Sequence, residues 1–335
     1  MVTLRIFFKM RSLLTYNLGY RYFDSIREEA LKNDKLARQG ALEPCLFCGH
    51  QEFTRNSHSL IQCDCCNAQF DSAFWSTDVN QRMEDDWFGE SYELNLSFWE
   101  RELQIRNHIR IFRRMSSYLK PEARILEVGV GNAGLLKFLR NKGYEVSGCD
   151  LSETLCQNLR KYNIPAYRGL AEIPKDLKFD LVIANHVLEH TNVPHTLLKE
   201  TRQVLSSSGL LHLAVPNVLS WGANFKSWVS YQPYHLVYFD ERSLRCVLVQ
   251  SGFEVVELRF FESFTGWFLI VFRTFMGHKK TIETSNSILN KKNPWVKYGY
   301  YIGMIIGSFV LTPLRIVQRV FQRGDEIHIV ARPTH

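Results

Sequence analysis

The stretch ILEVGVGNAGLL, residues 125–136, narrows the folds open to this chain more than any other. An apolar run carrying one acid, Glu127, meets Gly129, Gly131 and Gly134, and apolar residues then return at helical spacing. Leu135, Leu136, Phe138 and Leu139 share one helix face, and Gly143 is placed to end that helix. Strand, glycine turn and helix together open a sheet whose ligand crevice lies beyond the carboxyl ends of its strands. Glycine at such a turn permits positive φ and lets the backbone approach a ligand closely. Alone, the GxGxxG spacing is a weak signal.

The segments around it repeat the alternation. SFWERELQIRNHIRIFRRMSSYLK reads as a long helix leading into the strand RILEVGV. YEVSGCD, FDLVIA, LLHLAVP, FEVVELRFF and, near the C-terminus, EIHIVAR read as further strands. Ser152 and Asp240 are placed to cap the helices that follow them, and Asn192 to cap one with Pro194 in its first turn. The pattern predicts an α/β architecture, a doubly wound, mostly parallel sheet of seven strands, six of them over residues 92–262. An apolar helical insertion, 263–324, separates that core from its final strand, 325–333.

Two acids refine the ligand. Asp150 closes the second strand about twenty residues after the turn, where a carboxylate can accept hydrogen bonds from both hydroxyls of a ribose. Glu127 lies inside the first strand and is foreign to the plain dinucleotide fingerprint. An acid there points to a ligand with an amino group or positive centre instead of a pyrophosphate.

With LEVGVGNAG, the CD pair at 149–150, FDLVIANHVLEH, VLSSSGLLHLAVPN and YHLVYFDERSLRCVLVQSGFEVVEL in order, residues 92–262 and the final strand resemble the class I S-adenosylmethionine-dependent methyltransferases, which have a Rossmann-like fold. The resemblance implies that Glu127 and the turn residues Gly129, Gly131 and Gly134 face the methionine part of the cofactor. It implies that Asp150 meets the ribose and that GLAE, 169–172, meets the adenine, with Leu151, Ala171, Glu172 and Asn185 among the cofactor-binding residues. The chain departs from the pattern at Ala133, where many members carry glycine, and at Leu170, where many carry an acid.

Methyl transfer from a sulfonium is an in-line displacement, so much of its catalysis can come from alignment. A hydroxyl acceptor also profits from a general base, and histidine has a suitable pKa. The loop NHVLEH offers His186, Glu189 and His190, and QPYHLVYF offers His235. Glu189, His190 and His235 are the candidate catalytic residues, with a structural hydrogen bond as the competing role for each histidine. Ubiquinone-biosynthesis O-methyltransferases resemble this loop and carry two acids and a histidine thought to hold a divalent metal. Here His186 stands where the first acid would be, which argues against a catalytic metal.

Five of the eight cysteines fall between residues 43 and 75. Cys45 and Cys48, then Cys63 and Cys66, form two C-x2-C pairs, the spacing of a zinc ribbon with a structural tetrahedral Zn2+ site. Cys65, His50 or His58 could replace one of the four. Cys149, Cys156 and Cys246 fall in predicted sheet or helix and read as core residues. Several bacterial methyltransferases resemble this ribbon-first layout, some acting on sugar nucleotides or natural-product intermediates, others on the guanines of large ribosomal RNA.

Lys and Arg number 41 against 34 Asp and Glu, a formal charge of +7, too mild to specify a polyanionic partner. The ribbon lacks a dense Lys and Arg run interleaved with aromatics, so nucleic acid is not the expected partner. A small-molecule, sugar or lipid-linked acceptor is expected, with RNA methylation or a catalytically silent scaffold as alternatives. MVTLRIFFKMRSLL is broken by Arg5, Lys9 and Arg11 and lacks the apolar core of a secretory signal, so a cytoplasmic protein is expected. Residues 1–42 read as a helical segment. The insertion carries FTGWFLIVFRTFMG and YGYYIGMIIGSFVLTPL, with Lys279, Lys280, Lys291 and Lys292 between them. The second run is shorter than the roughly twenty residues of a comfortable span. A helical pair that makes peripheral membrane contact, or packs as a lid or dimer surface, is expected, with a true span as the third alternative.

Overall fold

The computed structural model describes residues 43–58, 60–75, 98–231, 235–276 and 294–334. The helical reading of 1–42 and the lysines at 279, 280, 291 and 292 lie outside them.

The N-terminal module is built from β1 (Phe53–Arg55), β2 (Ile61–Cys63) and β3 (Gln69–Phe70), paired antiparallel in that order. Its sheet is completed by β9 (Val237–Tyr238), which belongs to the chain of the large domain. Phe70 is fully buried and lies against Phe47, Phe53, Phe74 and Trp75. A buried aromatic of this size contributes roughly 1.5–3 kcal/mol, a large share for so small a module. The carbonyl of Phe47 accepts from Cys246 Sγ at 3.3 Å and from Gln250 Nε2 at 3.1 Å, which ties the module to the large domain.

In the large domain, α1 (Phe98–Met115) leads into β4 (Arg124–Val128), followed by α2 (Gly134–Arg140), β5 (Glu145–Cys149), α3 (Glu153–Lys161) and β6 (Ala166–Tyr167). The chain continues through β7 (Phe179–Asn185), α4 (Pro194–Val204), β8 (Leu205–Pro216), α5 (Glu241–Gln250), β10 (Phe253–Phe261) and β11 (Glu326–Pro333). The seven-stranded sheet has the order β10-β11-β8-β7-β4-β5-β6. From β8 to β6 all pairs are parallel. Helices cover both faces there, which is why β7 and β8 read as nearly continuous apolar runs.

β11 instead runs antiparallel between β8 and β10. Strand and helix alternation in the sequence conceals this, because β10 and β11 are the two arms of a hairpin opened by the long insertion. Strand order reverses between β4 and β7, so the crevice opens at the ends of those two strands.

Local signals act mostly as expected. Ser152 Oγ accepts from the amide of Leu155, and Asp240 forms a reciprocal capping box with Ser243. Asn192 is not the cap of α4. That position is Val193, without a side-chain cap, while Thr191 Oγ1 takes the Val193 amide at 3.0 Å. Pro194 in the first turn has no N–H, so one fewer donor there needs an acceptor.

The insertion forms α6 (Gly266–Met276), α7 (Pro294–Val310) and α8 (Thr312–Val320). Trp267 and Ile270 of α6 share a core with Leu60, Trp228 and Tyr238, so insertion and N-terminal module meet across one apolar cluster. Among the described residues no single helix is long and apolar enough to cross a membrane; Tyr301–Val310 and Thr312–Val320 make a pair bent by 50°.

Candidate active site and metal centre

The glycine turn leaves β4 with Gly129 at φ 72° and Gly131 at φ 49°, both in the left-handed region. A Cβ on Gly129 would lie 2.5 Å from Cγ2 of Val187, in the loop after β7. Ala133 also adopts a left-handed conformation, φ 59°, just before α2. α1 closes over the turn: Asn132 Nδ2 donates to Gln104 Oε1 at 2.9 Å, and His108 packs where a Gly134 Cβ would be.

Glu127 is buried within β4, and its Oε2 has no hydrogen-bond partner among the described residues. Burial, and then the charge of Asp150, hold its carboxyl well above the usual range. Asp150 ends β5 with Oδ2 on the amide of Val130 and Oδ1 on the amide of Ser152, both at 2.9 Å. Each oxygen keeps a second lone pair. Leu151 is exposed, Ala171 and Glu172 lie on the exposed side of a short turn, and Glu172 Oε2 accepts from the amide of Arg168 at 2.8 Å. Arg168, which sequence reasoning passed over, donates from Nε to the carbonyl of Leu151 at 3.1 Å. Asn185 ends β7 with its Oδ1 buried and unpaired among the described residues.

The loop after β7 begins with His186 at φ 55°, a costly conformation for a side chain of this size. It directs His186 Nδ1 to Glu189 Oε1 at 3.2 Å and Nε2 toward Glu326 Oε1 at 3.7 Å. Burial alone would depress this imidazole, but the hydrogen bond and charge of Glu189, with Glu326 beyond, push it up to about 9. Its side chain keeps 45% of its surface, so solvent softens both effects while two flanking carboxylates fix the upward direction. Two carboxylates thus favour the charged form of His186, which makes it a poor proton acceptor.

Glu189 is 1% exposed. Burial favours its neutral form, yet His186, His190 and His235 outweigh that and lower it. His190 and His235 stand edge to face at 4.7 Å. Burial, then the neighbouring His190, push His235 down to about 3, so its ring is neutral. One ligand atom from each of Glu189, His190 and His235 lies within 4.8 Å of the others. Such a trio could hold a cation, for which the paired His186 competes. The amide of Leu236 donates to the Glu189 carbonyl at 2.7 Å, which fixes the segment bearing His235 over the loop.

In the N-terminal module, the sulfurs of Cys45, Cys48, Cys63 and Cys66 all lie within 4.8 Å of one another. The Cys45–Cys66 and Cys48–Cys63 pairs are 3.5 Å apart. Tetrahedral zinc with bonds of about 2.3 Å needs sulfurs about 3.8 Å apart, so the quartet fits such an ion. Both knuckles use one device: the residue after the second cysteine, Gly49, and the residue after Cys66, Asn67, take left-handed φ and turn their amides back to the carbonyls of Cys45 and Cys63. Cys65 is exposed and outside the quartet. His50 pairs with Glu52, and His58 stacks on Tyr231, so neither substitutes as a ligand.

Residues 99–258 match the family model described as Methyltransferase domain. Residues 99–258 are a methyltransferase domain. Over 153 residues it is 25% identical to a Mycobacterium tuberculosis protein named as a probable S-adenosylmethionine-dependent methyltransferase, covering 44% of this chain and 54% of that one. The chain thus spans about half the length of the curated relatives it matches. Among solved structures, an S-adenosylmethionine-dependent methyltransferase from Archaeoglobus fulgidus overlaps 75% of this chain and 98% of its own at 18% identity and TM-score 0.44. Another from Mesorhizobium loti overlaps 66% and 96% at 15% identity and TM-score 0.41.

The methyltransferase domain has the features that S-adenosylmethionine, the cofactor of its family, requires. The unpaired oxygen of Glu127 suits the cofactor's amino group, and the free lone pairs of Asp150 suit the ribose hydroxyls. Leu170 is buried in the core of the domain, 7% exposed, so an acid there would face apolar neighbours and its absence removes no polar contact from the crevice. Glu326 and Val187, with Arg168, are the site residues that sequence reasoning missed. Glu326 is placed only because β11 pairs with the carboxyl end of β8, opposite Pro216.

Proposed function

We propose that this chain transfers the methyl group of S-adenosylmethionine to a hydroxyl of a small-molecule, sugar or lipid-linked acceptor, with His190 as the general base. The observation that carries this reading is the grouping of buried Glu189 and His235 with half-buried His190 at the mouth of the crevice beside the glycine turn. When bound, the cofactor supplies an activated methyl group. The protein then needs to align the acceptor and remove one proton. His186 is engaged by Glu189 and Glu326 and His235 is buried against His190, so His190, half-buried on the loop, is the histidine we assign to accept that proton. Glu189 orients the loop and balances the charge that develops on the imidazole.

The four cysteines are proposed to hold a structural Zn2+. The module they form pairs through β3 with β9, two residues from His235, so the metal would stiffen one wall of the acceptor site.

Calorimetric titration of S-adenosylhomocysteine, with Asp150→Ala as control, tests the cofactor half. An acceptor screen with sugar and lipid intermediates tests the rest. His190→Ala should lower kcat by about 10²–10⁴-fold with unchanged S-adenosylhomocysteine affinity. Full activity in His190→Ala would end the general-base assignment.

A further inference from the structure

A second cavity, of about 300 Å³, lies between α1 and the end of β10, lined by Arg110, Arg113, Arg114 and Arg259 with Glu257 and Phe261. Four guanidinium groups facing one space repel one another unless an anion joins them, and among the lining residues Glu257 is the single carboxylate.

Arg114 is committed to the wall: its side chain is 6% exposed, Nε faces Glu257 Oε2 at 3.4 Å and Nη2 donates to the carbonyl of His328 at 3.2 Å. Its Nη1 is buried and has no hydrogen-bond partner among the described residues, and Nε of Arg110 is in the same condition. Buried donors of a charged group without an acceptor are costly, and an oxyanion in the cavity would offset that cost through the accessible part of the Arg110 guanidinium, whose side chain is 35% exposed. The Phe261 ring holds both planes, with guanidinium carbons 4.6 and 5.7 Å from its centroid. Arg259, largely exposed, pairs with Glu257, which Arg114 also faces, and Arg113 is exposed, so Arg113 and the remaining donors of Arg259 can close on a ligand from the open side.

This cavity adjoins the crevice through one residue. Glu326 stands 3.8 Å from Arg110 Nη2 on one side and 3.7 Å from His186 Nε2 on the other. We propose that the arginine cavity is a phosphate-binding subsite that anchors the acceptor by a phosphate or diphosphate group while its hydroxyl reaches the His190 loop. The assignment of the occupant to the acceptor rests on the methyl-transfer reading; the phosphate site itself does not. Two or more guanidinium forks can embrace a tetrahedral oxyanion bidentately, which a lone carboxylate ligand would not require.

The test is calorimetric titration of inorganic pyrophosphate into the full zinc-loaded chain, with S-adenosylhomocysteine titrated into the same preparations. Arg113→Ala with Arg259→Ala should weaken pyrophosphate binding by on the order of tenfold or more, because two charge-assisted contacts are lost. Lys175→Ala with Lys199→Ala, the same change in net charge at exposed sites elsewhere, should leave it unchanged. No binding to the wild-type chain, or equal weakening in both pairs, overturns the subsite. Pyrophosphate binding in a chain that fails to bind S-adenosylhomocysteine retains the phosphate site and overturns its assignment to the acceptor. Uridine diphosphate and vesicles containing phosphatidic acid identify the source: the one whose binding falls in the arginine pair alone carries the phosphate to this cavity, and loss of neither overturns the proposal.

Discussion

A buried carboxyl with an unpaired oxygen, as at Glu127, is a liability in the free protein and an asset only toward a cation. Burial and the charge of Asp150 raise its pKa, so a proton it carries in the free protein must be released for it to face a positive amino group. Cofactor affinity should therefore rise with pH until Glu127 is ionised in the free protein. Binding enthalpy measured in buffers of different ionisation heat should report net proton release, and Glu127→Gln should abolish both the release and most of the affinity. Ala133 raises a different point at the same turn. A Cβ in the left-handed region costs roughly 1–2 kcal/mol, part of which glycine returns as chain entropy in the unfolded state. Ala133→Gly is expected to raise stability by about 1 kcal/mol in urea denaturation.

The pairing of β3 with β9 makes the cysteine module part of the wall that positions His235. The amide of Asp71 donates to the carbonyl of Leu236, and the amide of Leu236 to the carbonyl of Glu189, a continuous chain from module to active-site loop. Cys45→Ser, or removal of the metal by a chelator, should reduce turnover by on the order of a hundredfold, the cost of displacing aligned groups by about an ångström. S-adenosylhomocysteine affinity, set on the far side of the crevice, should persist. Parallel loss of both would mean instead that the module is needed to fold the core. The insertion carries its own pH dependence. Glu262 and Asp325 bury their carboxyls together where β10 ends and β11 begins; burial, then mutual repulsion at Glu262 and the charge of Glu326 at Asp325, push them up to about 9 and about 7. Raised acids favour the folded state below their unfolded values, and that contribution is lost as pH rises through about 7 and then about 9. Melting temperature should fall over that window, and Glu262→Gln should flatten the decline.

Across the chain as a whole, the insertion presents Ile302, Ile306, Phe309, Val310, Val320 and Phe321 to solvent, all more than half exposed. Arg319 and Arg323 border this ridge, a pairing of apolar surface and positive charge that suits an anionic bilayer surface. Peripheral contact there would bring the arginine cavity near lipid headgroups, since Arg319 also lines the recess that shares Arg259 and Phe261 with it. Sedimentation with anionic vesicles should capture the wild-type chain and release Phe309→Asp with Val320→Asp, while S-adenosylhomocysteine binding is unaffected by the double change.

What residues near one another in the chain decide was legible in the sequence: the glycine turn, Asp150 one strand later, the two cysteine knuckles, and the caps at Ser152 and Asp240. Each depends on backbone geometry or periodicity over a few residues, which residue type reports directly. The Asn192 cap was misread because Pro194 already removes a donor, and Leu170 looked like a missing ligand because its direction depends on the core beneath it. Glu326, the arginine cavity, the antiparallel β11 and the fourth strand of the cysteine module join residues separated by up to about two hundred positions. Those pairings are chosen by packing of the assembled layers, in which many registers compete, and no local pattern encodes the winner. The sequence therefore specified a methyltransferase crevice and a cysteine quartet suited to a metal, while only the folded chain decided that the two share a wall and that His186 lies between the carboxylates of Glu189 and Glu326.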